Sequence, residues 1–151
     1  MTGFGSIYTI FNWFKRARPR TTVKSFHTQM GVHFEEVSEM LAEITGLDGE
    51  TRVLLEKAKQ ANHLLAEHLK ANTNVVMIEP SNFIGYLDAL CDQQVTGIGC
   101  AYDCGFDFEG AMHEVDSSNW SKFVNGEAIF DDNGKITKGP NYFKAELSPF
   151  I

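Results

Sequence analysis

Apolar and polar residues follow a helical period from the start of the chain to about residue 120. The pattern predicts a short first helix over 7–16, stopping before Pro19, and a second from about Ser25 to Ile44, ended by Gly46. A third, from Glu50 to Ala71, gathers Leu54, Ala58, Ala61, Leu65 and Leu69 on one stripe and sets Glu56, Lys59, Glu67 and Lys70 on the other side. The linker "NTNVVMIEP" follows, and Ser81 is then expected to cap a fourth helix that runs to Cys104 and stops at Gly105. A fifth begins near Asp107, an N-cap residue type, and reaches about Asn119. Beyond it the texture becomes rich in Gly and Asn, and "EAIF", "DDNG" and "KITK" predict a small hairpin turned at Asn133-Gly134. The expected fold is all-α, one domain over 1–151, with a helical core over about 25–123 and a short β-hairpin tail over about 124–151.

Two of these helices carry an unusual polar side. In "HFEEVSEMLAEI", residues 33 to 44, Glu35, Glu36, Glu39 and Glu43 fall within about 100° of arc while Phe34, Val37, Met40, Leu41 and Ile44 fall opposite. The helix is cleanly amphipathic, but its polar face has one sign of charge. Glu35/Glu39 and Glu39/Glu43 are like charges four apart, each pair destabilising by about 0.2–0.5 kcal/mol. Such a face calls for a cation.

The fourth helix, "SNFIGYLDALCDQQVTGIGCAYDCG", is apolar over most of its circumference, which implies burial. Asp88 and Asp92 nevertheless stand one turn apart on one side, continued by the small residues Thr96 and Gly99, and no basic residue occurs between Lys70 and Lys122. A carboxylate in apolar surroundings is costly unless a cation or several donors compensate it. Two helices with carboxylate stripes can face one another in a bundle, and the converging oxygens then suit Mg²⁺ or Mn²⁺. A di-iron centre is disfavoured, because it wants two Glu-x-x-His motifs and the chain has none.

Composition narrows the choice of partner. A net charge of −7 and a pI near 5.1 argue against a sequence-independent nucleic-acid binder, which needs a dominant positive field. They leave phosphate substrates open, because metal ions held by carboxylates can supply the positive charge. The three cysteines, Cys91, Cys100 and Cys104, lie in one apolar segment and are expected to be buried, reduced thiols of a cytoplasmic protein. No apolar run reaches the roughly 18–20 residues of a membrane span, so no membrane association is expected. The basic residues of "FKRARPR" follow the apolar N-terminal stretch instead of preceding it, unlike a targeting peptide, and are expected on a solvated or subunit-facing surface.

With these residues in view, the chain resembles the all-α nucleoside triphosphate pyrophosphohydrolases, the MazG-like and phosphoribosyl-ATP pyrophosphohydrolase-like group. "EEVSE" (Glu35, Glu36, Glu39) is similar to that family's Glu-Glu-x-x-Glu motif, and "DALCDQQVTGIGCAYDCGFD" resembles its second motif helix, with Asp92 in the place of a metal-binding Asp. "HEVDSSNWSKF" looks like its Ser-Asn-x-Ser-Lys segment, and "GKITKGPNYFKAEL" is similar to the tail of small, often phage-encoded members. The resemblance covers about residues 25–147. It departs from the family in two places: counting back three from Asp92 gives Ala89 where a Glu is usual, with Asp88 one position further away, and the spacer between the two motifs is long, about 48 residues from Met40 to Leu87.

The resemblance implies a helical bundle that hydrolyses a (deoxy)nucleoside triphosphate to the monophosphate and pyrophosphate. It implies Glu36, Glu39, Asp88 and Asp92 as ligands of two or more Mg²⁺, with Mn²⁺ able to substitute, and Glu35 or Glu43 as an orienter of water or an outer metal ligand. Asn119, Lys122, Lys138 and Tyr142 are the implied substrate-binding residues, and Trp13, Phe26, Phe34 and Trp120 are further aromatics able to stack on a base. It further implies a homodimer or homotetramer, and dGTP as one substrate of interest. Two other readings stay open: the same scaffold acting on phosphoribosyl-ATP or a dUTP-like nucleotide, and a non-catalytic acidic module that meets a basic partner.

Overall fold

In a computed structural model, which describes residues 5–132 and 134–151, the chain is mostly helical and divides into two compact units. Five α-helices are present among the described residues: α1 Gly5–Ala17, α2 Val23–Ala42, α3 Gly49–Ala71, α4 Phe83–Asp103 and α5 Phe108–Trp120. The all-α expectation holds at this level.

One unit comprises residues 21–77 and 131–135 and is built on the α2–α3 hairpin. Thr22 is the N-cap of α2 and forms a capping box with Ser25, so the helix starts two residues before the serine expected to open it. Asp48 caps α3 by accepting from the Thr51 amide at 2.8 Å. The two helices run antiparallel. Ser38 Oγ donates to the Lys59 carbonyl at 3.1 Å, and Gly31 lies so near α3 that a Cβ there would stand 2.8 Å from the Ala66 carbonyl oxygen. Ala66 and Leu69 are fully enclosed, and so is His27, whose Nδ1 lies 2.9 Å from the Val23 carbonyl. A carbonyl only accepts, so Nδ1 carries the hydrogen and Nε2 is left to accept from the Val75 and Val76 amides at 3.1 and 3.3 Å. The histidine thus pins the chain that leaves α3. Lys24 Nζ, donating to the Asp132 carbonyl at 2.8 Å, helps hold residues 131–135 to this unit.

The other unit comprises residues 1–20, 78–130 and 136–151. Its core is Trp13, Ala17 and Phe123, with Phe14, Ala128 and Ile136 packed around them. Trp13 meets Phe14 and Phe123 edge-on and donates its indole N–H to the Asn119 carbonyl at 2.9 Å, which fixes α1 on α5. Asp107 caps α5, accepting from the Gly110 amide at 3.0 Å. The basic cluster after α1 is built into this unit. Arg16 pairs with Glu127 at 3.0 Å and donates to the Gly126 carbonyl, while Arg18 is half-buried beside the Phe130 ring.

Several expectations are corrected here. Ser81 does not cap α4: it sits in a 3-10 turn, Pro80–Asn82, and the helix begins at Phe83 without a side-chain cap. More consequential, α4 is not buried. Ala101 is its one buried residue, and Cys91, Cys100 and Cys104 are exposed free thiols. The tail forms no strand among the described residues. Phe130 and Ile136 make an isolated bridge, and Asn133 of the expected turn lies outside the described residues. A two-residue turn does form earlier, at Asn125 and Gly126, both with positive φ (52° and 79°), where Val124 and Glu127 exchange both backbone hydrogen bonds. No described helix is long and apolar enough to cross a membrane.

Candidate metal and nucleotide site

The carboxylates of α2 divide into two kinds. Glu35 Oε1 accepts from Lys70 Nζ at 2.9 Å and Oε2 accepts from Lys135 Nζ at 3.1 Å, with the Glu35 side chain only 22% exposed. Burial alone would raise the Glu35 pKa, but the hydrogen bonds and charges of Lys70 and Lys135 outweigh it and hold the carboxyl below its ordinary value. Burial likewise works against the charged form of Lys70, and its bonds to Glu67 and Glu35 reverse that and raise its pKa. Part of the cation demanded by the acidic face is therefore supplied by two lysines, one on α3 and one in the 131–135 segment. Glu36, Glu39 and Glu43 remain exposed, Glu43 at the C-cap of the helix.

In the other unit, Asp88 and Asp92 lie one turn apart on α4 and are both exposed. Their oxygen-donor chemistry, with that of Glu36 and Glu39, fits a hard divalent cation. Among the described residues no three His, Cys, Asp or Glu side chains gather closely enough to hold an ion.

The four expected substrate-binding residues form two pairs, on neighbouring segments of the chain at the C-terminal end of α5. Lys122 Nζ donates to Asn119 Oδ1 at 2.7 Å and lies 6.0 Å from the centre of the Trp13 ring. Lys138 Nζ sits 4.8 Å from the centre of the Tyr142 ring. Phe143 ties the two pairs into one corner: its amide donates to Ser121 Oγ at 3.1 Å and its carbonyl accepts from Ser118 Oγ at 2.8 Å. Gly139 completes the contact, because a Cβ there would stand 2.6 Å from Val124 Cγ2 and 2.9 Å from the Lys122 carbonyl oxygen. Gly139→Ala is accordingly expected to cost about 1–3 kcal/mol and to loosen the 138–143 segment. Thermal unfolding together with limited proteolysis of the tail checks this; a variant with wild-type melting and cleavage would remove the close approach.

Two buried polar residues carry no signal in the sequence. His27 stands among the apolar positions of α2, and its spacing from Val75 and Val76 has no local signature. Asp116, on α5, is 7% exposed, with one carboxylate oxygen that has no hydrogen-bond partner. Comparison with known proteins adds nothing to this geometry: no family model, no curated protein and no solved structure matches the chain.

Proposed function

We propose that the chain is a metal-dependent nucleoside triphosphate pyrophosphohydrolase, releasing a nucleoside monophosphate and pyrophosphate. The observation that carries the reading is the pairing of Glu36 and Glu39, exposed on one face of α2, within a Glu-Glu-x-x-Glu motif whose first carboxylate is already neutralised by lysines. Glu36, Glu39, Asp88 and Asp92 would hold Mg²⁺ or Mn²⁺, which supplies Lewis-acid charge against the triphosphate and its pyrophosphate leaving group. Lys122 acts as a point charge on phosphate oxygens, and its bond to Asn119 keeps the ammonium from swinging into solvent. Asn119 and the Lys138/Tyr142 pair supply further donors and a ring for the sugar or base. Water attacks the α-phosphorus as the bond to the bridging oxygen breaks, and pyrophosphate leaves with that oxygen. A homodimer or homotetramer, with dGTP as the first substrate to examine, belongs to the same reading.

The experiment is product analysis on the eight common NTPs and dNTPs with Mg²⁺ and with Mn²⁺. Monophosphate plus pyrophosphate establishes the reaction; diphosphate plus phosphate, or no turnover of any of the eight, overturns it for these substrates. Lys122→Ala is expected to raise KM on the order of tenfold with a smaller change in kcat, as loss of a ground-state phosphate contact does. An unchanged KM would take Lys122 out of the substrate site.

A further inference from the structure

Asp116 is the one carboxylate buried among the described residues, and its Oδ1 is shut off from solvent with no hydrogen-bond donor. No described lysine, arginine or histidine pairs with it. The hydroxyls beside it along α5 are already committed, since Ser117 Oγ donates to the His113 carbonyl at 2.9 Å and Ser118 Oγ to the Phe143 carbonyl at 2.8 Å. A carboxylate oxygen buried in this way is costly until a donor reaches it. The surrounding chain supplies none, so the donor comes with something that binds.

The neighbours of Asp116 limit what that is. A metal ion needs more ligands than one carboxylate, and no three His, Cys, Asp or Glu gather around an ion position among the described residues. A phosphate is repelled by the negative charge. What fits is an N–H or O–H of an organic ligand. Asn119 follows Asp116 by three positions, the spacing of neighbours on a helix, with Cβ atoms about 5–6 Å apart. Asn119 Oδ1 holds the Lys122 ammonium at 2.7 Å. The buried acceptor and the pair assigned to the phosphates therefore lie within one helical turn. In a nucleotide the 3′-hydroxyl stands on the ring carbon next to the one that bears the 5′ arm, close to the α-phosphate, whereas the base edge lies across the sugar.

We propose that Asp116 is the residue that reads the sugar, accepting the 3′-hydroxyl of the bound nucleotide. The inference rests on the nucleotide reading of the Asn119–Lys122 corner given above. An O–H donated to a carboxylate is a charge-assisted bond, stronger than one between neutral groups, and it is made only by a sugar that keeps its 3′-hydroxyl. Asp116 thus becomes a specificity residue for the sugar, with no part in holding the metal.

Calorimetric titration of the full chain with Mg²⁺ tests this without turnover, using the four common deoxynucleoside monophosphates and their 2′,3′-dideoxy counterparts. Any monophosphate that binds is expected to lose about tenfold or more in affinity as its dideoxy form. That comparison uses wild-type protein and needs no variant. Asp116→Ala is expected to keep its helical circular dichroism and to bind both forms alike, at the level of the dideoxy form; a purely structural Asp116 would leave the ratio unchanged. Equal affinities in wild type overturn the inference, leave the nucleotide reading standing and assign the buried oxygen to water. A wild-type ratio that persists in Asp116→Ala overturns it as well, giving the hydroxyl to another residue. No binding by any of the four removes the nucleotide from this corner and the inference with it, a failure that product analysis on the triphosphates reports separately.

Discussion

Glu39→Ala is expected to abolish pyrophosphohydrolysis, by a factor on the order of a thousand or more, while the helices melt at or slightly above the wild-type temperature. The two halves of the expectation have separate origins. Glu39 is exposed and makes no ion pair among the described residues, so its removal breaks no contact that holds α2 on α3. Its neighbours one turn away are Glu35 and Glu43. Glu35 is already neutralised by Lys70 and Lys135, so any gain comes chiefly from relief of Glu43, about 0.2–0.5 kcal/mol. Activity is another matter, since a divalent ion that loses one of its few carboxylates loses both affinity and position. Asp92→Ala carries the same expectation from the α4 side. Wild-type protein should gain thermal stability with Mn²⁺ or Mg²⁺, and both variants should lose most of that gain. Retained turnover in either one would sink its assignment as a ligand, and a full metal-dependent shift in both would move the metal elsewhere.

The contrast between Glu35 and Glu39 shows how far the sequence can be read. Helical period locates all five helices to within a few residues, because each presents an apolar stripe that its own local sequence defines. Starts are less legible. Thr22 and Ser25 are both good cap residues, and only the reciprocal bonds between them reveal which is N-cap and which is the third helical residue. The single-signed face of α2 is visible, but not its partial neutralisation, since Lys70 and Lys135 lie 35 and 100 positions from Glu35. In α4 the sequence shows an apolar helix, and the burial expected from it does not follow: an apolar stripe states that something must cover it, not that the same fold does. The tail misleads for another reason. Asn133-Gly134 and Asn125-Gly126 are the same turn signal; the second closes a bridge between Val124 and Glu127, and of the hairpin expected from the first a single bridge between Phe130 and Ile136 is present among the described residues.

His27→Ala is expected to destabilise the α2–α3 unit by about 2–4 kcal/mol. The ring is 1% exposed, and both nitrogens are engaged: Nδ1–H donates to Val23, and Nε2 accepts from two successive amides in the chain that leaves α3. Truncation opens a cavity beside Thr28, itself fully buried, and also strips the Val75 and Val76 amides of their acceptor. The two costs can be separated. His27→Leu refills most of the volume and restores no acceptor, so its loss measures the hydrogen bonds, and the difference between Leu and Ala measures the cavity. Urea unfolding followed by circular dichroism gives the totals, and hydrogen exchange at the Val75 and Val76 amides locates the bond contribution. The expected order is wild type, then Leu, then Ala, with exchange at both amides accelerated equally in the two variants. If His27→Leu is as stable as wild type and its amides exchange no faster, the ring serves as filler, and the anchoring of residues 72–77 must come from packing alone.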